Sequence, residues 1–243
     1  MPRYRVSIDV GGTFTDLVAL NEDTGELANI KVPSTPKRPT DGILKALQEF
    51  LKEADPKDIS IVVHTTTLAV NALLGQLGVE LPKVALITTK GFRDVVEIGR
   101  QRRYELYNLF IQRPRLLVPR KLRYEVEERI GPHGEILESL NVEKVRSIAT
   151  ELKREGVEAV AIALLYSHMN PKHEQEIKNT LKEMYPDIFI TSSSEIAPEH
   201  REFERTSTAV VNACLTPIIS TYIDNLSKKI RELGIFSLLY VMQ

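Results

Sequence analysis

The chain opens on a β-rich run, residues 4–10 (YRVSIDV), which ends in Gly11-Gly12 and predicts a strand entering a tight turn. Residues 14–20 and 27–33 predict two further strands, joined through Asp23-Thr24-Gly25. Pro36 and Pro39 mark a connection. Apolar residues then fall at helical spacing (Ile43, Leu44, Leu47, Phe50, Leu51), predicting a helix over 41–54. A strand at 59–64 leads into a helix from Leu68 to Leu77, closed by Gly78. Val84–Thr88 has the pattern of a buried strand, and a short helix is expected near Arg93–Ile98.

From Gly99 to Val118 the periodicity fails, and Pro114 and Pro119 break what remains. Long irregular segments inside compact domains are more often functional than idle. Leu122–Ile136 predicts a hairpin around Gly131-Pro132-His133-Gly134. Asn141 is a good N-cap for a helix running to Arg154. The uninterrupted apolar stretch Val157–Leu165 predicts a strand buried on both faces. A helix at Pro171–Met184 and a strand at Ile188–Thr191 follow. Glu202–Leu233 then reads as one long helix, or two with a break at Pro217, before a last strand from Phe236. Together these elements predict an α/β fold: a mixed sheet with antiparallel opening strands and crossover helices, followed by a long helical segment. The expected boundary lies between Ser192 and Glu202, giving domains 1–195 and 196–243.

Composition narrows the function classes. Of 243 residues, 42% are hydrophobic and 27% charged, with 33 acids against 32 bases. A net charge of -1 argues against bulk nucleic-acid binding, which needs a basic surplus. The longest apolar run, Ala159–Tyr166, is far short of the roughly 18 residues that span a bilayer. No basic start followed by an apolar stretch marks a signal peptide, and the single cysteine, Cys214, has no internal partner, so a reducing cytoplasm is expected.

The strongest local signal is Asp9-Val10-Gly11-Gly12-Thr13-Phe14-Thr15-Asp16, strand–turn–strand. Paired glycines let backbone N–H groups approach an anion, and Thr13 and Thr15 add hydroxyl donors. Asp9 is placed to hold a hydrated Mg²⁺, which a carboxylate beside a polyphosphate requires. The sequence contains no GxxxxGK[ST], so this is not a Walker loop; a plain hairpin with Gly-Gly at its bend is the alternative.

DVGGTFTDLV resembles the first phosphate segment of the actin, Hsp70 and sugar-kinase superfamily, whose ATPase lobe is ribonuclease H-like. More specifically, it resembles the N-terminal part of the hydantoinase A and 5-oxoprolinase family, which includes acetone carboxylase β subunits. HTTTLAVNALL (64–74), GFRDVVEIGRQ (91–101), VAIALLYSHMNPKHE (160–174) and EIAPEHREFERTSTAVVNA (195–213) match that family in order. The family usually has His-Gly-Thr-Thr where this chain has His64-Thr65-Thr66-Thr67. The resemblance implies ATP-dependent opening of a cyclic amide, with ATP and Mg²⁺ bound by Asp9, Gly11, Gly12, Thr13 and Thr15. Family members are longer, so it also implies a C-terminal lobe or a hydantoinase B-type partner subunit, and an oligomer. A sugar or acetate kinase of the same superfold and a non-catalytic assembly module are the competing readings.

Other residues are candidates on chemistry. His64, Asp94 and Arg100 are candidates for catalysis, and Thr66, Asn71, Gln101 and Arg205 for the substrate side. His64 ends a strand, where open sheets bind ligands, but a hydrogen-bonded His in a hydroxyl cluster that caps a helix start suits it equally. Between Arg93 and Arg123 lie eight Arg and one Lys against Asp94, Glu97 and Glu105. That basic stretch suits an anionic ligand, a subunit contact or a solvated surface. His168 and His173 lack the spacing of a zinc pair, and Cys214 sits among apolar residues with no base nearby.

Overall fold

The computed structural model describes residues 3–35, 38–75, 80–101, 105–111 and 116–242. In chain order these form β1 (Tyr4–Val10), β2 (Phe14–Asn21), β3 (Leu27–Pro33), α1 (Pro39–Phe50), β4 (Ile59–Thr66), α2 (Leu68–Leu73), β5 (Val84–Thr89) and α3 (Val95–Ile98). There follow β6 (Arg123–Val126), β7 (Arg129–Ile130), β8 (Ile136–Glu138), α4 (Val142–Arg154), β9 (Ala159–Ala163) and α5 (Lys172–Met184). The chain closes with β10 (Phe189–Ser192), α6 (Ser193–Ile196), α7 (Glu202–Glu232) and β11 (Leu238–Met242). By compactness, residues 1–80 with 218–243 form one unit, and residues 81–217 the other. The reason is that β11 returns to pair with β4, while residues 81–217 build a separate sheet.

In the first unit the sheet order is β11-β4-β1-β2-β3, and the three opening strands are adjacent and antiparallel, as expected. β4 joins β1 in parallel, and β11 joins β4 in parallel. Register puts Val6 beside Ala19 and Ile8 beside Leu17, so strand alternation sends these side chains to one face. There they pack with Ile43, Ala46, Leu47 and Phe50 of α1 and with Tyr222, Leu226 and Ile230 of α7. Helix α1 starts with Pro39 in its first turn, a position that needs no N–H donor, and Asp41 follows, complementing the helix dipole.

The second unit holds a parallel sheet, β10-β9-β5-β6. Every residue of β5 and β9 is buried, the pattern expected where helices shield both faces of a parallel sheet. Ile148 and Leu152 of α4, Ile177 and Leu181 of α5 and Ala209, Val210 and Ala213 of α7 share its core.

Several expectations change. The predicted helix at Leu68–Leu77 stops at Leu73, where Gly75 takes φ 68°; Leu77 and Gly78 lie outside the described residues. The 122–136 hairpin is shorter: β6 leaves it to pair with β5, and only β7 and β8 form a hairpin, closed by Gly131 N–H donating to Glu135 O at 2.8 Å. The short helix near Arg93 begins at Val95. α7 is one helix with Pro217 inside it. The last strand has β4 as its neighbour, and Leu238, Tyr240 and Met242 remain exposed. Pro114, within the irregular segment, lies outside the described residues.

Candidate functional site

The β1–β2 turn is built by hydrogen bonds that sort its donors from its acceptors. Gly11 N–H donates to Phe14 O at 3.0 Å, closing the turn. A Cβ at Gly11 would stand 3.0 Å from that same oxygen, so a side chain there would crowd the closure. Ser34, just past β3, then holds the loop twice: its N–H donates to Thr13 O at 2.9 Å and its hydroxyl to Gly11 O at 2.8 Å. With the carbonyls so engaged, the N–H groups of Gly12 and Thr13 have no acceptor among the described residues. Gly12 differs from Gly11. Its φ is not positive and a Cβ built on it meets nothing within 4 Å, so no contact within the fold demands glycine there.

Thr15, expected to offer a hydroxyl to a ligand, points the other way. It is fully buried, and its Oγ1 lies 3.0 Å from Ser34 Oγ. Because the single Ser34 proton goes to Gly11 O, Thr15 is the donor in that pair. The alternation of β2 explains it: Thr15 shares the core face with Leu17 and Ala19. On the opposite face Asp9 is exposed and stands across from Asp16 in the ladder, with Thr65 of β4 on its other side. Two facing carboxylates repel. Lys31, 3.2 Å from Asp16, offsets one of them and leaves Asp9 without an ion-pair partner among the described residues.

His64 is wholly buried. Its Nδ1 lies 3.2 Å from Ile8 O, which can only accept, so Nδ1 carries the proton. Nε2 accordingly accepts the Tyr222 hydroxyl at 2.7 Å. Burial pushes the imidazole pKa down, against the raising effects of the Ile8 carbonyl and Asp9. Burial likewise raises that of Tyr222. A neutral ring with both nitrogens engaged has no lone pair for a substrate, which fits the alternative of a hydrogen-bonded His. Thr66 and Asn71 serve the start of α2: Thr66 Oγ1 accepts from Leu68 N–H at 3.1 Å, and Asn71 Nδ2 donates to Thr67 Oγ1 at 3.2 Å.

The other candidates belong to the second unit. Asp94 accepts two bonds from Arg120, at 3.0 Å each, and this guanidinium holds its carboxyl below the usual range. Buried Arg123 donates to Glu97 at 2.8 Å and to Val118 O at 3.1 Å. Arg100 pairs with Glu204, lowering the Glu204 pKa, and Gln101 follows with φ 55°. Arg205 is 2% exposed and donates to Glu199 O at 2.7 Å and to Leu164 O at 2.8 Å, tying α7 to the end of β9; its Nε has no partner among the described residues. The basic stretch thus resolves, where described, into ion pairs; Arg102, Arg103, Arg113 and Arg115 lie outside the described residues. Burial pushes the Cys214 thiol up to about 11, consistent with a core residue.

Sequence reading missed two groups. Ser34 is one. The other is a buried network at the strand ends of the second unit, where Glu174 accepts from Leu164 N–H at 2.9 Å, Ser193 Oγ at 2.7 Å and Ser194 N–H at 2.9 Å. Glu128 there joins His173 at 2.7 Å and the Thr89 hydroxyl. No spacing rule links such isolated residues. The 160–174 motif did contain His173 and Glu174, without showing that they face a core.

Comparison with known proteins decides the family. The model of the hydantoinase/oxoprolinase N-terminal region matches residues 5–185, and the hydantoinase/oxoprolinase model matches 205–243. The chain belongs to the hydantoinase/oxoprolinase family. Among its relatives, an uncharacterised Methanocaldococcus jannaschii protein is 47% identical over 99% of this chain, which spans 35% of that protein. The caprolactamase subunit alpha of Pseudomonas jessenii is 35% identical over 96% of this chain and 34% of its own length. The crystal structure of the ATP-dependent caprolactamase from that organism superposes with TM-score 0.87 at 32% identity, covering 99% of this chain and 35% of the other. The fold is also that of acetone carboxylase, TM-score 0.85 at 23% identity. This hydantoinase/oxoprolinase-family chain therefore spans about a third of the length of these relatives. Among the described residues, no helix is long and apolar enough to cross a membrane.

Proposed function

We propose that the chain supplies the phosphate-binding turn of an ATP-dependent enzyme that activates an amide or related carbonyl of a small cyclic substrate. Gly12 carries this reading. Neither its φ nor any contact within the fold requires glycine, and its N–H and that of Thr13 have no acceptor among the described residues, with exposed Asp9 near the end of β1. Such a position leaves room for an anion to approach the backbone. The caprolactamase relative is described as ATP-dependent, and others are 5-oxoprolinases, which favours this chemistry over a sugar or acetate kinase.

Asp9 suits a hydrated Mg²⁺, which keeps several waters and needs few protein ligands; among the described residues no group of three or more His, Cys, Asp or Glu forms a dry cage. The ion would neutralise phosphate charge. The chain's own contribution is to present the Gly12 and Thr13 N–H groups in fixed directions, the electrostatic preorganisation on which phosphoryl transfer depends. A C-terminal lobe or hydantoinase B-type subunit, and assembly into an oligomer, complete the proposal. Two relatives, a caprolactamase subunit alpha and an acetophenone carboxylase gamma subunit, are subunits of larger enzymes, which supports it.

Titration of the ¹⁵N-labelled chain with Mg-ATP tests the turn. We expect shifts at Gly11–Thr13 in the wild type and none in Gly12→Val, with unchanged melting because the new side chain points into open space. Equal responses in the two proteins would refute the assignment.

A further inference from the structure

Ser34 occupies a junction that the phosphate-site reading alone does not explain. One residue satisfies two carbonyls of the turn: Gly11 O by its hydroxyl, Thr13 O by its N–H. A free carbonyl beside a phosphate is repulsive, so fixing its direction matters as much as exposing the N–H groups. The Ser34 hydroxyl is itself oriented, because it accepts from buried Thr15 and so has one direction left in which to donate. Behind Thr15 the space is closed: a Cβ on Gly42 of α1 would stand 2.8 Å from Thr15 Oγ1. The adjacent Thr35 fixes the same helix start, since its Oγ1 accepts from Gly42 N–H at 3.0 Å and donates to Arg38 O at 2.6 Å. The hydroxyls of Thr15 and Thr35 thus both flank Gly42 at the α1 start, and Thr15 carries on to Ser34 at the turn.

We infer that Ser34, oriented by Thr15, is the positioning residue of the anion-binding turn: it turns the Gly11 and Thr13 carbonyls inward so that the neighbouring N–H groups face a polyphosphate. This rests on the phosphate-site reading. Ser34 touches no phosphate itself and acts through the backbone.

The test uses the same chain with Ser34→Ala and Ser34→Thr. Two readouts are taken: hydrogen exchange of the Gly11 N–H without ligand, and Mg-ATP affinity from the ¹⁵N titration. Ser34→Ala should speed Gly11 exchange at least about tenfold and weaken Mg-ATP by a similar factor, since about 1.4 kcal/mol corresponds to tenfold. Ser34→Thr keeps the hydroxyl and should restore both, with melting temperatures of all three proteins close together. Wild-type affinity and exchange in Ser34→Ala would overturn the inference while leaving the phosphate site intact. So would a Ser34→Thr protein as weak as Ser34→Ala. Absence of any wild-type response to Mg-ATP would instead remove the phosphate reading, and the positioning role with it.

Discussion

At the scale of single residues, the buried hydroxyls of Thr15 and Tyr222 serve different ends. Thr15 supports the turn, whereas Tyr222 completes His64. Replacing Tyr222 by Phe leaves His64 Nε2 buried with no donor, which typically costs about 1–3 kcal/mol. Urea denaturation should show that loss with an unchanged slope; no loss would mean the pair is not part of the stable core. The same histidine gives the protein an acid limb. Its folded pKa is lowered, so the unfolded chain takes up the proton first, and stability present above about pH 6.5 falls as pH drops toward the folded value. His168, lowered by burial and then by Arg205, acts in the same direction. A His64→Gln variant should therefore lose less stability than wild type between pH 7 and 5 in parallel denaturation curves. Equal losses would assign the acid limb to other groups.

At the scale of elements, caps and periodicity were legible and long-range pairing was not. Asn141 accepts from Lys144 N–H at 3.0 Å, the cap its position implied. Asn141→Ala should cost about 1 kcal/mol and lower the melting temperature of the chain by a few degrees. A melt indistinguishable from wild type would show that the exposed cap contributes nothing. The opening strands, β5 and β9 were readable because their burial follows from their own alternation or apolar run. The partner of β6 was not, since Arg123–Val126 carries the same local signal whether it joins a hairpin or a parallel neighbour. The candidate site divided likewise. Asp9 and the glycine pair were visible as a motif, but the inward direction of Thr15 depends on strand phase, and the role of Ser34 depends on the closeness of β3's end to the turn. His64 looked chemical because histidines at strand ends often are; only Tyr222, 158 residues away, shows that its second nitrogen is taken.

For the molecule as a whole, length is the governing fact. The chain spans about a third of the relatives it resembles, and the single phosphate-binding turn proposed for it cannot clamp a nucleotide from several sides, as phosphoryl transfer requires. We therefore expect weak, millimolar Mg-ATP binding and no steady turnover from the chain alone. The exposed Leu238, Tyr240 and Met242 on β11 should favour self-association. Calorimetry with Mg-ATP and light scattering check both. Micromolar binding with steady turnover by a clean monomer would show the chain to be catalytically sufficient.

The interleaving of the two units also sets an order of events during synthesis. β1 to β4 leave the ribosome early, but the Tyr222 hydroxyl that closes the His64 pair comes 158 residues later, a wait of roughly 10–30 s at about 5–20 residues per second. Residues 81–217 emerge contiguously in that interval, while the first sheet waits with its β4 edge open and His64 Nε2 without its Tyr222 donor. The nascent chain thus spends its longest vulnerable period with the first sheet unfinished, and holding chaperones have their clearest opportunity there.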